Sequence, residues 1–85
     1  MPRFDVEIRV MPRPSLLDPQ GQAVEHALTA LGFSQASQVR VGRAMTLRID
    51  SPDKGAAEQA AQAMCQRLLA NPVTEDFTVS VRGAA

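Results

Sequence analysis

Eighty-five residues suffice for one domain, 1–85, with a modest core, because a chain this short buries only roughly 60–65% of its unfolded surface. Nine basic and nine acidic residues cancel, which argues against a broad nucleic-acid patch, and three phenylalanines as the only aromatics argue against a base-stacking platform. No apolar run approaches the roughly 18–20 residues of a membrane span, the N-terminus lacks the apolar stretch of a signal peptide, and Cys65 has no second cysteine to pair with. A cytoplasmic protein that gains stability by self-association is the expectation.

Residues 4–10 alternate strictly. Phe4, Val6, Ile8 and Val10 share one face, and Asp5, Glu7 and Arg9 share the other, as in a half-buried strand. Pro12 and Pro14 are expected to end it, since neither can donate to a ladder. The stretch 16–28 then joins this strand to a helix. Asp18 suits the N-cap and Pro19 the first helical position. Neither requirement explains Gln20-Gly21, because glycine in a first turn costs helix stability. A costly residue beside a cap points to a close backbone approach or to a contact made elsewhere.

The spacing predicts a first helix over 19–31, with Val24, Ala27, Leu28 and Leu31 on one face. Gly32 fits the left-handed position after it, and Phe33 would pack back on Leu28. Residues 38–50 read as strand, with Val39, Val41, Met45, Leu47 and Ile49 all on odd positions. Gly42-Arg43 interrupts the run. A hairpin with a three-residue loop and a single long bent strand both keep the apolar faces together.

Ser51-Pro52 reads as a second cap-plus-proline start. The helix after it carries Ala57, Ala60, Ala61, Met64, Cys65 and Leu68 on one side, and Asn71-Pro72 stops it. A last strand follows, with Phe77, Val79 and Val81 on one face and Thr78, Ser80 and Arg82 on the other. These elements predict an α+β fold: a two-layer α/β sandwich in which a mainly antiparallel three-stranded sheet (middle strand long and bent, or split) carries two helices on one face. A ferredoxin-like arrangement is the alternative. The opposite sheet face would present Asp5, Glu7, Arg9, Arg48, Asp50 and Arg82.

Chemistry is hard to find in this chain. The only histidine, His26, lies on the polar side of the first helix without a partner for acid–base work. Cys65 sits on an apolar stripe and reads as a buried structural residue. Gly42-Arg43 with Arg40 falls far short of a phosphate-binding loop. No carboxylate pair, no nucleophile–base set and no metal-ligand spacing emerges, so no catalytic, cofactor-binding or metal-binding residue is expected.

Three motifs, in this order and at this spacing, resemble one family. They are Leu17-Asp18-Pro19-Gln20-Gly21-x-Ala23-Val24-x-x-Ala27-Leu28, then Val39-Arg40-Val41-Gly42-Arg43 followed by Met45-Thr46-Leu47-Arg48-Ile49, then Met64-Cys65-x-x-Leu68-Leu69-Ala70-Asn71-Pro72-Val73-x-Glu75-Asp76-Phe77. Together they look like the PurS family, the small subunit of phosphoribosylformylglycinamidine synthase. The resemblance covers nearly the whole chain. One departure is the strand end, Met11-Pro12-Arg13-Pro14-Ser15, where the family reads more like Leu-Lys-x-Gly.

The resemblance implies a subunit of a glutamine- and ATP-dependent carbon–nitrogen ligase of purine biosynthesis. A large synthetase subunit would hold ATP and Mg, and a glutaminase subunit would release ammonia. The small subunit would have no catalytic residue and no cofactor of its own. It would form homodimers or homotetramers and help to join the two enzymes so that ammonia reaches formylglycinamide ribonucleotide. Leu17, Asp18, Pro19, Gln20 and Gly21, with Arg40, Gly42 and Arg43, are the candidate partner-contact residues, because both stretches show more exact residue choice than their local structure demands. The alternative is a small regulatory ligand-binding domain acting at a dimer interface. An acylphosphatase-like hydrolase would need an asparagine to orient water, and the only one, Asn71, already stops a helix.

Overall fold

The structure is a computed structural model and describes residues 2–83. The alternating segment at the N-terminus forms β1 (Arg3–Pro12), which becomes the central strand of an antiparallel sheet. β2 (Arg43–Asp50) and β3 (Glu75–Gly83) flank it in the order β2-β1-β3. The register keeps parity. Val6 faces Leu47 on one side and Val81 on the other, and Ile8 faces Met45 and Val79. One sheet face is therefore apolar except for Arg43 and Glu75 at one end, and the other carries most of the charged residues, including an Arg48–Asp5 pair at 2.8 Å.

β1 runs through Pro12 rather than stopping before it. Its pairing with β2 ends at Val10↔Arg43, whereas its pairing with β3 continues to Pro12↔Glu75. Pro12 thus sits where one edge of β1 is free, a position that tolerates a missing donor. Arg13 N–H then donates to the Thr74 carbonyl at 3.0 Å, outside the strand proper.

The apolar face is covered by α2 (Lys54–Met64). Ala57, Ala61 and Cys65 are fully buried, and with Val6, Ile8, Val10, Ile49, Ala70 and Val81 they make the core. Small side chains at 57 and 61 let the helix axis lie close to the strands. The helix starts one turn element later than Ser51-Pro52 suggests. Asp53, in extended backbone, is the N-cap, and its carboxylate accepts the Ala56 N–H at 2.8 Å. Ser51 is instead tied to the strand side, its N–H donating to the Pro2 carbonyl at 3.0 Å.

α2 ends in a single π turn, Cys65–Leu69, closed by Ala70 N–H donating to the Cys65 carbonyl at 3.0 Å. The wider turn shifts the apolar stripe by about one residue. Leu69 packs on the core, while Leu68, which an unbroken 3.6 period would bury, is 82% exposed.

The first helix, α1 (Pro19–Ala30), ends as its sequence predicts. Gly32 is left-handed (φ 97°), its N–H donates to the Thr29 carbonyl at 3.0 Å, and Phe33 N–H donates to the Leu28 carbonyl at 2.9 Å. Its place in the fold is less expected. α2 packs on β3 and β1, but α1 makes no extended contact with any strand. The chain measures 51 × 30 × 14 Å, and Val24 and Leu31 on the apolar side of α1 stay exposed. The stretch 38–50 resolves into one strand, β2, preceded by residues 38–42 outside the ladder.

Candidate functional site

The two stretches with excess residue choice meet each other. Asp18 caps α1 through Oδ1, which accepts the Gly21 N–H at 3.0 Å, and its Oδ2 accepts the Val41 N–H at 2.9 Å from 23 residues away. One carboxylate, 8% exposed, therefore starts a helix and clamps the approach to β2. Seven residues into α1, Glu25 Oε1 accepts the Val39 N–H at 3.0 Å. These two acids satisfy the donors that Val39 and Val41 would otherwise offer to a sheet, which is why 38–42 leave the ladder. Gln38, with φ at 55°, turns the chain into this position.

Gly21 is explained by the same geometry. A β-carbon there would run into the Val39 carbonyl oxygen and would lie 2.7 Å from Asp18 Oδ2. The glycine is the point where the segment before β2 crosses the first turn of α1. Gly42 has the matching constraint one strand over, where a β-carbon would meet the Val10 carbonyl and the Met11 sulfur.

The arginines complete the frame. Arg40 Nη2 donates to the Arg13 carbonyl at 2.6 Å and Nη1 to the Leu16 carbonyl at 3.2 Å, with Nε 3.9 Å from Asp18 Oδ2. Arg40 thus holds the loop between β1 and α1. Arg43 turns the other way. It forms a forked pair with Glu75 (2.6 and 2.9 Å) and donates to the Leu69 carbonyl at 2.7 Å. Glu75 Oε1 also accepts the Asn71 N–H at 2.8 Å, which ties the end of the π turn to the start of β3.

Asp18, Gly21, Arg40, Gly42 and Arg43 are therefore accounted for inside the chain. Leu17, Pro19 and Gln20 remain exposed: Leu17, at 73%, lines an open groove of about 920 Å³ with Met11, Leu16, Asp18, Glu25 and Arg40, and Gln20 lines a smaller one of about 250 Å³ with Gly42, Arg43 and Glu75. Sequence reasoning missed Glu25 and Glu75. The partner of Glu25 lies 14 residues away and the Arg43 partner of Glu75 lies 32 away, so neither pairing can be read from neighbouring residues.

Electrostatics agree with a structural role. The Gly21 and Val41 amides, with the Arg40 guanidinium nearby, hold the Asp18 carboxyl below the usual carboxylate range. The Arg43 hydrogen bonds hold Glu75 low as well. A carboxyl held low in the folded chain favours folding above its unfolded titration range, and that contribution fades as pH falls through the folded value. Stability should therefore stay level from neutral pH down to the ordinary carboxylate range and then fall. In urea denaturation followed across that range, Glu75→Gln should flatten the acid limb. An unchanged limb would show that Glu75 has no part in it.

Burial pushes the Cys65 thiol up, so it stays protonated and packs as a small apolar group. Among the described residues, no three His, Cys, Asp or Glu side chains are placed to hold a metal ion, and no helix is long and apolar enough to cross a membrane.

Fold and site together define a small α+β protein whose polar groups hold its own frame and leave Leu17, Pro19 and Gln20 exposed. The comparisons with known proteins agree. Residues 5–83 match the PurS family, described as phosphoribosylformylglycinamidine (FGAM) synthase. The chain is 41% identical over 78 residues to the PurS subunit of that synthase from Synechocystis, covering 92% of this chain and 78% of that one. It is 38% identical over 78 residues to the Bacillus subtilis PurS subunit, covering 92% of each. In three dimensions it matches a chain in the structure of PurLQS from Thermotoga maritima with a TM-score of 0.89 at 29% identity, over 96% of this chain and all of that one. The chain belongs to the PurS family and is a subunit of a glutamine-dependent ligase of purine biosynthesis.

Proposed function

We propose that this chain, acting as one unit over residues 1–85, is the non-catalytic small subunit that joins an ATP-dependent synthetase to a glutaminase in the cytoplasm. ATP and Mg would reside on the large subunit. The observation that carries this reading is the match to a chain of the Thermotoga maritima PurLQS structure over essentially its full length. The chemical need is plain. Ammonia released from glutamine protonates near neutral pH and ceases to be a nucleophile, so its transfer to formylglycinamide ribonucleotide needs an aligned, closed contact between two enzymes. A third chain can supply that alignment with no chemistry of its own.

The contact residues would be Leu17, Pro19 and Gln20, presented by a frame made of Asp18, Gly21, Arg40, Gly42 and Arg43. The frame residues make internal bonds, and the exposed residues make none that compete with a partner. In an enzyme reconstituted from the three subunits, Leu17→Asp with Gln20→Ala should lower glutamine-dependent activity about tenfold, the effect of losing roughly 1.4 kcal/mol of interface. Activity with added ammonia should stay within about twofold of that of the unaltered enzyme. Equal loss of both activities, or no loss of either, would place the contact elsewhere.

A further inference from the structure

Among the described residues, the strands carry only two charged side chains on the face that α2 covers, Arg43 and Glu75. They stand on the two outer strands, level with the point where β1 loses its β2 partner, and both reach the end of α2. Arg43 Nη2 donates at 2.7 Å to the carbonyl of Leu69, the last residue of the π turn. Glu75 Oε1 accepts both from Arg43 Nη2, at 2.9 Å, and from the Asn71 N–H, at 2.8 Å. The pair therefore holds the backbone on either side of Ala70, whose own N–H closes the π turn on Cys65.

The turn held in this way has a rival written into the sequence. Residues 68 and 69 are both leucine. In an unbroken α-helix Leu68 falls in line with Ala57, Ala61 and Cys65, and in the π turn that line passes to Leu69. Either arrangement takes the same kind of side chain out of water, so apolar burial gives little preference between them. An α arrangement would also close on Cys65 from Leu69 instead of Ala70, with the tighter and commoner hydrogen-bond spacing. The bonds that favour the π turn are those of Arg43 and Glu75, because a slip of one residue carries the Leu69 carbonyl around the helix and off the guanidinium. Opening them breaks no ladder bond. They are side-chain bonds, the Arg43 side chain is half-exposed, and both residues line the small groove that Gln20 borders.

We propose that the end of α2 is a switch between two helix registers, and that the Arg43–Glu75 pair is the latch that selects the π register and keeps Leu68 at the surface. With the latch closed, Leu68 faces out and Leu69 packs on the core. With it open, the α register takes Leu68 in and turns Leu69 out. The two states are discrete because a packed core accepts one leucine at that place or the other, not a blend of both. The register thus decides which leucine this chain offers at its surface. The inference concerns this chain alone, so it stands or falls separately from the enzyme reading above.

Thiol labelling of the full chain tests it, with Cys65 as the internal control. Cys65 lies before the slip and is buried in the π register, and the slip leaves it on the inner side. Position 69 is read by Leu69→Cys with a maleimide under native conditions, and tryptic cleavage after Arg67 separates the two thiols for mass spectrometry. Adding Glu75→Gln removes the charge from the latch and should raise the labelling rate at position 69 at least about tenfold, while the rate at Cys65 stays within about twofold. An unchanged rate at position 69 overturns the proposal. So does a rise shared by Cys65, which would mean unfolding instead of a slip.

Methyl NMR gives a second reading without an added cysteine. In the parent chain the Leu69 methyls, and not those of Leu68, should show cross-peaks to the core. In Glu75→Gln the Leu68 methyls should gain such cross-peaks. Leu68 signals identical in parent and variant would also overturn the proposal.

Discussion

Gly21→Ala is expected to destabilise the chain by about 2–4 kcal/mol, although the same change in most first turns of helices is favourable. Replacing glycine by alanine in a helix usually gains roughly 0.5–1 kcal/mol, because the unfolded chain loses freedom. At Gly21 the new methyl would run into the Val39 carbonyl oxygen and crowd Asp18 Oδ2. Neither neighbour can move cheaply. Val39 is fastened by Glu25, and Asp18 by two backbone amides. Overpacking against fixed atoms costs about 1–3 kcal/mol, and weakening the Asp18 bonds adds to it.

Gly55 provides the internal control. It occupies the first turn of α2, and a β-carbon there would meet only Asp53 Oδ1, at 3.4 Å. Gly55→Ala should therefore stabilise the chain by a few tenths of a kcal/mol to about 1. Urea denaturation of the two variants would show opposite shifts of midpoint. A Gly21→Ala variant as stable as the parent would mean that the crossing of 39–41 over α1 is not a tight one.

The second expected result is a difference between two aspartates that both cap helices. Asp53 is an ordinary cap, so Asp53→Ala should cost about 1 kcal/mol, or roughly 4–8 °C in melting temperature for a chain of this size. Asp18→Ala should lower the melting temperature at least about twice as far, because it removes a cap and a tertiary clamp together. It also leaves the half-buried Val41 N–H without its acceptor, which adds to the loss.

Asparagine sharpens the comparison. It is as good an N-cap as aspartate, so Asp53→Asn should be nearly neutral. At Asp18 both carboxylate oxygens accept from backbone N–H groups. An amide has only one acceptor and would point its NH₂ at a donor. Asp18→Asn should therefore lose most of what Asp18→Ala loses. Melting curves for the four variants decide it, and equal losses at the two positions would show that the Val41 bond contributes nothing.

Much of this fold was legible along the chain. Odd–even parity in 4–10, 38–50 and 77–82 marks three strands with one apolar face each, since side chains alternate along a strand, although residues 38–42 stay outside the ladder. Asp18-Pro19, Gly32 and Asn71-Pro72 mark helix ends through local backbone preference alone. The three motifs carry the family. Three local readings needed correction: Asp53 rather than Ser51 caps α2, and two others changed for reasons that are not local. Pro12 stays in β1 because β2 has already ended beside it, and Leu68 is exposed because a π turn shifts the stripe.

The meaning of Gln20-Gly21, the feature that local rules left over, was legible only in part. A costly glycine beside a cap does signal a close approach, but the sequence does not say what approaches. The visitor is the Val39 carbonyl, 18 residues along the chain, and it arrives because Glu25 and Asp18 hold residues 39–41 out of the sheet. Arg40 and Arg43, which looked alike in sequence, face opposite ways, one holding the loop before α1 and the other clamping β3. The position of α1 has the same origin. Its apolar stripe and its caps are properties of nearby residues and can be read from them. Whether that stripe covers its own sheet depends on hydrogen bonds between residues 14 and 23 positions apart, and those exist only once the chain has folded.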